Sequence, residues 1–164
     1  MHGASIGWGC TQLSNFDLVY AHTQAFFQTP FVALGFTPEG QSSWTFPRVM
    51  GRQHASRLLL GAEKVSAREM YVSGLVTQVL GEDGEESDAF VRRVVGIAKR
   101  IGASDGESLR MTKALMNRPE QLAEQREAGA REGKDLVIRM NDPNTKARLA
   151  ALGSKDKDGS KSKL

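Results

Sequence analysis

The period of the apolar positions changes along the chain. Asp17-Leu18-Val19-Tyr20-Ala21 is almost continuously apolar between polar neighbours, the pattern of a strand buried on both faces. Ala25-Phe26-Phe27-Gln28 predicts a second short strand, which Thr29-Pro30 ends. Between Ser42 and Leu60 the sequence favours helix with interruptions near Pro47 and Gly51, and Ala55, Leu58 and Leu59 mark its buried stripe. Ser66-Ala67-Arg68-Glu69 has the form of a capping box, in which hydroxyl and carboxylate satisfy each other's backbone donors, so a helix is expected to start there. Gly74 stops it, and the β-branched run Leu75-Val76-Thr77-Gln78-Val79 reads as a strand.

From Ser87 onward, Phe90, Val91, Val94, Val95, Ala98 and Ile101 recur at helical spacing. Leu109, Leu115 and Met116 predict another amphipathic helix after a Gly-containing break, and both stripes are expected to be packing surfaces. Residues 119 to 139 are charged but helix-prone, and Asp142-Pro143 opens a final helix, since proline is tolerated in a first turn. The stretch from Gly153 to Lys161 has no apolar residue and is expected to be disordered. No internal repeat is present.

At 164 residues and 40% hydrophobic content the chain has the length of one domain and enough apolar surface for a core. No segment approaches the roughly 18 uninterrupted apolar residues that span a bilayer, and Met1-His2-Gly3-Ala4-Ser5 lacks the basic flank of a secretory signal. The single Cys10 excludes an intramolecular disulfide framework. The net charge of +3 is carried in part by Lys155, Lys157, Lys161 and Lys163 in the polar tail, away from aromatics, so no nucleic-acid partner is expected.

Gly3-Ala4-Ser5-Ile6-Gly7-Trp8-Gly9-Cys10, followed by Phe16-Asp17-Leu18-Val19-Tyr20-Ala21, resembles the signature of the crotonase (enoyl-CoA hydratase/isomerase) superfamily, in which a Gly-rich turn opens a helix and leads into a buried strand. The blocks Phe26 to Pro30, Leu34 to Gly40, Phe46 to Gly51, and Ala67 to Val76 agree with it in order and spacing. Within the superfamily the chain is most similar to the peroxisomal Δ3,Δ2-enoyl-CoA isomerases. The resemblance implies an α/β fold, the C-terminal portion of a ββα spiral followed by helices used in trimerisation. It divides the chain into a partial spiral core over 1–104, a helical region over 105–152, and a tail over 153–164. Family members carry a further N-terminal region that supplies the first turns of the spiral and one of two oxyanion-hole donors, so this chain is expected to be the later part of such a domain.

The resemblance also implies a chemistry. Moving a double bond from the 3,4 to the 2,3 position of an acyl thioester removes a C2 proton and returns one at C4, with charge accumulating on the thioester oxygen. Losing one backbone N–H aimed at that oxygen costs about 3 to 4 kcal/mol of transition-state stabilisation. The resemblance assigns one such donor to the backbone N–H of Trp8, with Gly7 and Gly9 permitting an unusual backbone path beside the ligand and a helix dipole just beyond. It assigns the proton shuttle to Glu39, in a Pro-Glu-Gly segment like that of the isomerases. Phe31 and Phe36 are expected to line the substrate site, and with Trp44 to supply an apolar pocket that strengthens the carboxylate as a base.

Hydratases of the family use two glutamates to hold a water, and the corresponding positions here are Thr11 and Phe31, neither of which accepts a proton at neutral pH. His2 and His22 have no ligand partners at metal spacing, His54 reads as a surface or cap residue, and Lys113 as a solvated lysine. No metal and no cofactor beyond the coenzyme A of the substrate is implied. Ser162-Lys163-Leu164 matches the peroxisomal address read by an import receptor. Two functions remain open: isomerisation of 3-enoyl-CoA to 2-enoyl-CoA in β-oxidation, or a non-catalytic remnant of the family acting only as an acyl-CoA-binding or assembly subunit.

Overall fold

In the computed structural model, residues 1–157 are described except Asp83, with the side chains of 152–157 also set aside. The elements run in the order β1 (Ala4–Ile6), α1 (Trp8–Thr11) continuing as a 3₁₀ turn (Gln12–Asn15), β2 (Tyr20–His22), β3 (Phe26–Gln28), α2 (Phe31–Leu34) and α3 (Ser42–Leu59). They continue with β4 (Val65–Ser66), α4 (Ala67–Ser73), β5 (Gln78–Leu80), α5 (Ser87–Gly102), α6 (Gly106–Met116), α7 (Pro119–Asn141) and α8 (Pro143–Lys157).

Two small sheets organise the first half. One has the order β1-β3-β4, with β1 and β3 parallel in the register Ala4 to Phe26, and β3 and β4 antiparallel. The other pairs β2 with β5 in parallel, Ala21 opposite Val79. Parallel neighbours need a crossover, and these β-helix-β passages give the chain its α/β character. Phe27, Phe46, Leu58 and Met70 fill the centre between the sheets and α3 and α4, together with Leu13, Val19, Ala21, Val65 and Val76.

Local signals placed several elements as expected. Ser66 accepts the Glu69 N–H while Glu69 accepts the Ser66 N–H at 2.9 Å, completing the capping box of α4. Gly74 ends that helix in the left-handed conformation, at φ 94°. Within α3, Gly51 breaks the helical dihedrals at φ 73°, ψ 159°, whereas Pro47 sits inside the helix without ending it.

The strands are shorter than the apolar runs. β2 begins only at Tyr20, and Leu18 is 44% exposed, so the run from Asp17 is not buried on both faces. Leu75 and Val76 are buried in the connection before β5 rather than paired in it. A continuous apolar run reports burial, and burial is reached as well by a connection crossing the core as by a strand.

The helices α5 and α6 correct the expected packing. Only Phe90 of α5 is buried, no residue of α6 is, and Leu115 is 81% exposed. Leu109, Met116, Ile101 and Leu18 instead line an open groove of about 480 Å³. Periodicity identifies an apolar face but supplies nothing to cover it. At the other end, α8 runs to Lys157, so residues 153–157, expected to lack structure, continue the helix; each added residue contributes one more backbone hydrogen bond once the helix is nucleated. Ser162, Lys163 and Leu164 lie outside the described residues. Among the described residues, no helix is long and apolar enough to cross a membrane.

Candidate active site

The Gly-rich turn depends on a backbone conformation that side chains disfavour. Gly7 has φ 56° and ψ −123°, a region open to glycine alone, and it reverses the chain between β1 and α1. Its N–H is tied to the Gln28 carbonyl of β3 at 2.9 Å, and its own carbonyl accepts from Cys10 and Thr11. Trp8, the first residue of α1, is thereby fixed with its N–H engaged by no acceptor among the described residues. Gly9 does not share the conformational demand: it lies within α1, and a side chain there would meet no atom within 4 Å. The helix begins at Trp8 rather than beyond Gly9 and runs only four residues before passing into a 3₁₀ turn, so the dipole it adds is small.

Glu39 reaches the same place from the other direction. After α2 ends at Gly35, the chain runs through Pro38 and turns into α3 through two consecutive residues with left-handed dihedrals, Gly40 at φ 67° and Gln41 at φ 64°. The Glu39 carbonyl accepts the Ser42 hydroxyl at 2.6 Å and the Ser42 N–H at 3.2 Å, locking the turn.

Trp8 and Glu39 line one cleft of about 350 Å³. Its other walls are Gly40 and Gln41 from the turn and Arg126, Gly129, Glu132, Gly133 and Leu136 from α7. Burial, and secondarily the negative charge of Glu132, hold the Glu39 carboxyl above the ordinary carboxylate range. A carboxylate of raised pKa is a stronger base once ionised.

The surroundings of Glu39 differ from those expected. Phe31 is buried in the core, Phe36 packs against that core, and neither lines the cleft. Trp44 faces another way, its indole N–H directed to Glu124 at 3.2 Å and its ring under Arg48. The pKa is raised by burial and secondarily by the Glu132 carboxylate, and among the described residues the one aromatic lining the cleft is Trp8. Arg126, Glu132 and Leu136 carry no signal of their own in the sequence, where their stretch reads only as charged and helix-prone. The one available signal was that a helix of this length needs something to pack on.

The remaining candidates fall outside the cleft. Thr11 is fully buried and directs its hydroxyl to the Trp8 carbonyl. Cys10 is buried, and burial pushes its thiol up to about 12 against a smaller opposing hydrogen bond from the Gln28 backbone. His22 is buried beside His2 and Phe90, accepting the Gln24 N–H on Nδ1. Lys113 is exposed, as expected, and pairs on the surface with Asp17 at 2.5 Å. Among the described residues no group of three or more His, Cys, Asp or Glu is arranged to hold a metal.

The sequence profile of the family described as Enoyl-CoA hydratase/isomerase matches residues 1–144. The chain is 38% identical over 120 residues to "Enoyl-CoA delta isomerase 2" of Rattus norvegicus, an overlap covering 73% of this chain and 29% of that protein. It is 34% identical over 120 residues to "Enoyl-CoA delta isomerase 3, peroxisomal" of Mus musculus, covering 73% of this chain and 36% of that one. The crystal structure of an enoyl-CoA hydratase/isomerase from Pseudoalteromonas atlantica T6c superimposes with a TM-score of 0.84 at 32% identity, over 93% of this chain and 59% of that chain. The chain thus spans about a third of the length of these curated relatives and about three fifths of the solved structure.

Proposed function

Since the chain belongs to the enoyl-CoA hydratase/isomerase family and shares the C-terminal part of its fold, we propose that it isomerises 3-enoyl-CoA to 2-enoyl-CoA, with Glu39 as the proton shuttle. The observation carrying this reading is the meeting of Glu39 and Trp8 in one cleft, with the Glu39 pKa raised. The Glu39 carboxylate takes a proton from C2, and the electron pair moves into a dienolate whose charge rests on the thioester oxygen. The Trp8 N–H stabilises that oxygen, acting most strongly where the charge is greatest. The protonated Glu39 then delivers its proton to C4, the double bond settles between C2 and C3, and the carboxylate is regenerated. Thr11 and Phe31 at the hydratase positions leave water addition without its two carboxylates.

The same reading places the protein in the peroxisome matrix as a trimer-based oligomer taking part in β-oxidation. The Ser162-Lys163-Leu164 ending and the name of the mouse relative support the location. Purified chain supplied with 3-enoyl-CoA is expected to yield 2-enoyl-CoA, and Glu39→Gln to lower turnover by roughly 10²- to 10⁴-fold. Undiminished turnover in Glu39→Gln would remove the shuttle. Acyl-CoA binding by the wild-type chain without turnover would favour the binding-subunit reading instead.

A further inference from the structure

Glu132 is one of two buried residues on the 23-residue helix α7, and is itself only 7% exposed. A carboxylate withdrawn from water is tolerated when donors meet its lone pairs, and here both oxygens are met by backbone. Oε2 accepts the Gln41 N–H at 2.7 Å and Oε1 the Ser43 N–H at 2.8 Å. These amides lie at the start of α3, where no intrahelical carbonyl is available to them. Glu132 therefore caps α3 from 91 residues away along the chain.

The turn that this cap secures is a strained one. Gln41 has a side chain and yet adopts φ 64°, a conformation that persists only where the surroundings impose it. The surroundings come from one face of α7, at helical spacing. Gln125 bonds the Gln41 side-chain oxygen at 2.5 Å, Gly129 leaves room for the Gln41 side chain, and Glu132 grips the backbone. Glu39 is two residues before Gln41, on the same turn.

We infer that Glu132 is a positioning residue for Glu39: by binding the amides of Gln41 and Ser43, it holds the left-handed turn that presents Glu39 to the cleft. The inference rests on the reading of Glu39 as the shuttle. Glu132 also faces Glu39 electrostatically, and its charge acts in the same direction as burial, while Arg126 on the same helix is the cationic group lining that cleft. A neutral amide at this position supplies one acceptor and turns an NH₂ toward the second backbone N–H, so Glu132→Gln loses both a bond and the charge.

The full chain carries the test, in wild type, Glu132→Gln and Glu132→Asp, by amide hydrogen exchange, ¹³C titration of the Glu39 carboxyl, and turnover of 3-enoyl-CoA across pH. In Glu132→Gln, exchange at Gln41 and Ser43 is expected to quicken by about tenfold or more relative to the core. The Glu39 midpoint and the acid limb of kcat should move to lower pH together, with kcat falling more than KM rises. Glu132→Asp keeps the charge but not the reach, so exchange should quicken while the Glu39 midpoint stays raised. Exchange at Gln41 and Ser43 that rises only as much as everywhere else, with the Glu39 midpoint and kcat unmoved, overturns the inference; so does a folded Glu132→Asp with unchanged exchange and kcat. Wild-type turnover in Glu39→Gln would instead strike the shuttle reading, a separate outcome from a dead Glu39→Gln beside an unaffected Glu132→Gln.

Discussion

Gly40 and Trp8 are packed so closely that a methyl group on Gly40 would lie 3.0 Å from Cζ3 of Trp8, and 2.8 Å from the Thr11 hydroxyl. This contact joins the turn bearing Glu39 to the turn bearing the proposed oxyanion donor, two segments about thirty residues apart in sequence. Gly40 is doubly constrained, because its φ of 67° is also one that side chains disfavour. Gly40→Ala is therefore expected to destabilise the fold by about 1 to 3 kcal/mol in urea unfolding. It should also lower turnover by spreading the two turns; a variant with wild-type midpoint and turnover would show that the contact is slack.

Glu39 couples the site to stability. Its folded pKa lies above the ordinary 4.5, so between these values the native state binds more protons than the unfolded one. Stability then falls as pH rises through the folded pKa. Glu39→Gln removes this penalty, and its urea midpoint relative to wild type should be higher at pH 8 than at pH 4. A gap that widens toward acid would contradict the raised pKa.

The capping box titrates with the opposite sign. Hydrogen bonds from the Ser66 backbone and hydroxyl, and then from Arg57, hold Glu69 down at about 2. Its contribution is present above 4.5 and is lost as pH falls through about 2. Ser66→Ala should cost about 1 kcal/mol at neutral pH, a figure for loss of the cap rather than for the half-exposed carboxylate itself. Thermal unfolding at pH 7 and pH 3 should show the difference shrinking in acid; a constant difference would detach Glu69 from the cap.

Cys10 offers a check on the core. Buried beneath the Gly-rich turn, with its thiol pushed up to about 12, it should resist a thiol reagent at pH 8 in the native protein and react fully in denaturant. Rapid native labelling would mean that the turn opens readily.

Much of this architecture was legible locally. Ser66 and Glu69 announced α4, Gly74 its end, Gly51 the break in α3, and Pro143 the start of α8, because capping and backbone strain act between residues a few positions apart. Glu39 and Trp8, which line one cleft, were singled out only by resemblance, since a glutamate before a glycine carries no information about what it faces.

The sequence by itself determined these local elements and, through resemblance, the family. Tertiary structure alone decided that α7 lines the cleft and delivers Glu132 to the amides of Gln41 and Ser43, that Phe31 lies in the core with Phe36 packed against it, and that the apolar stripe of α6 stays open. The physical reason is that periodicity records which face of a helix is apolar or charged, while the neighbour of that face is set by packing across some ninety residues of chain.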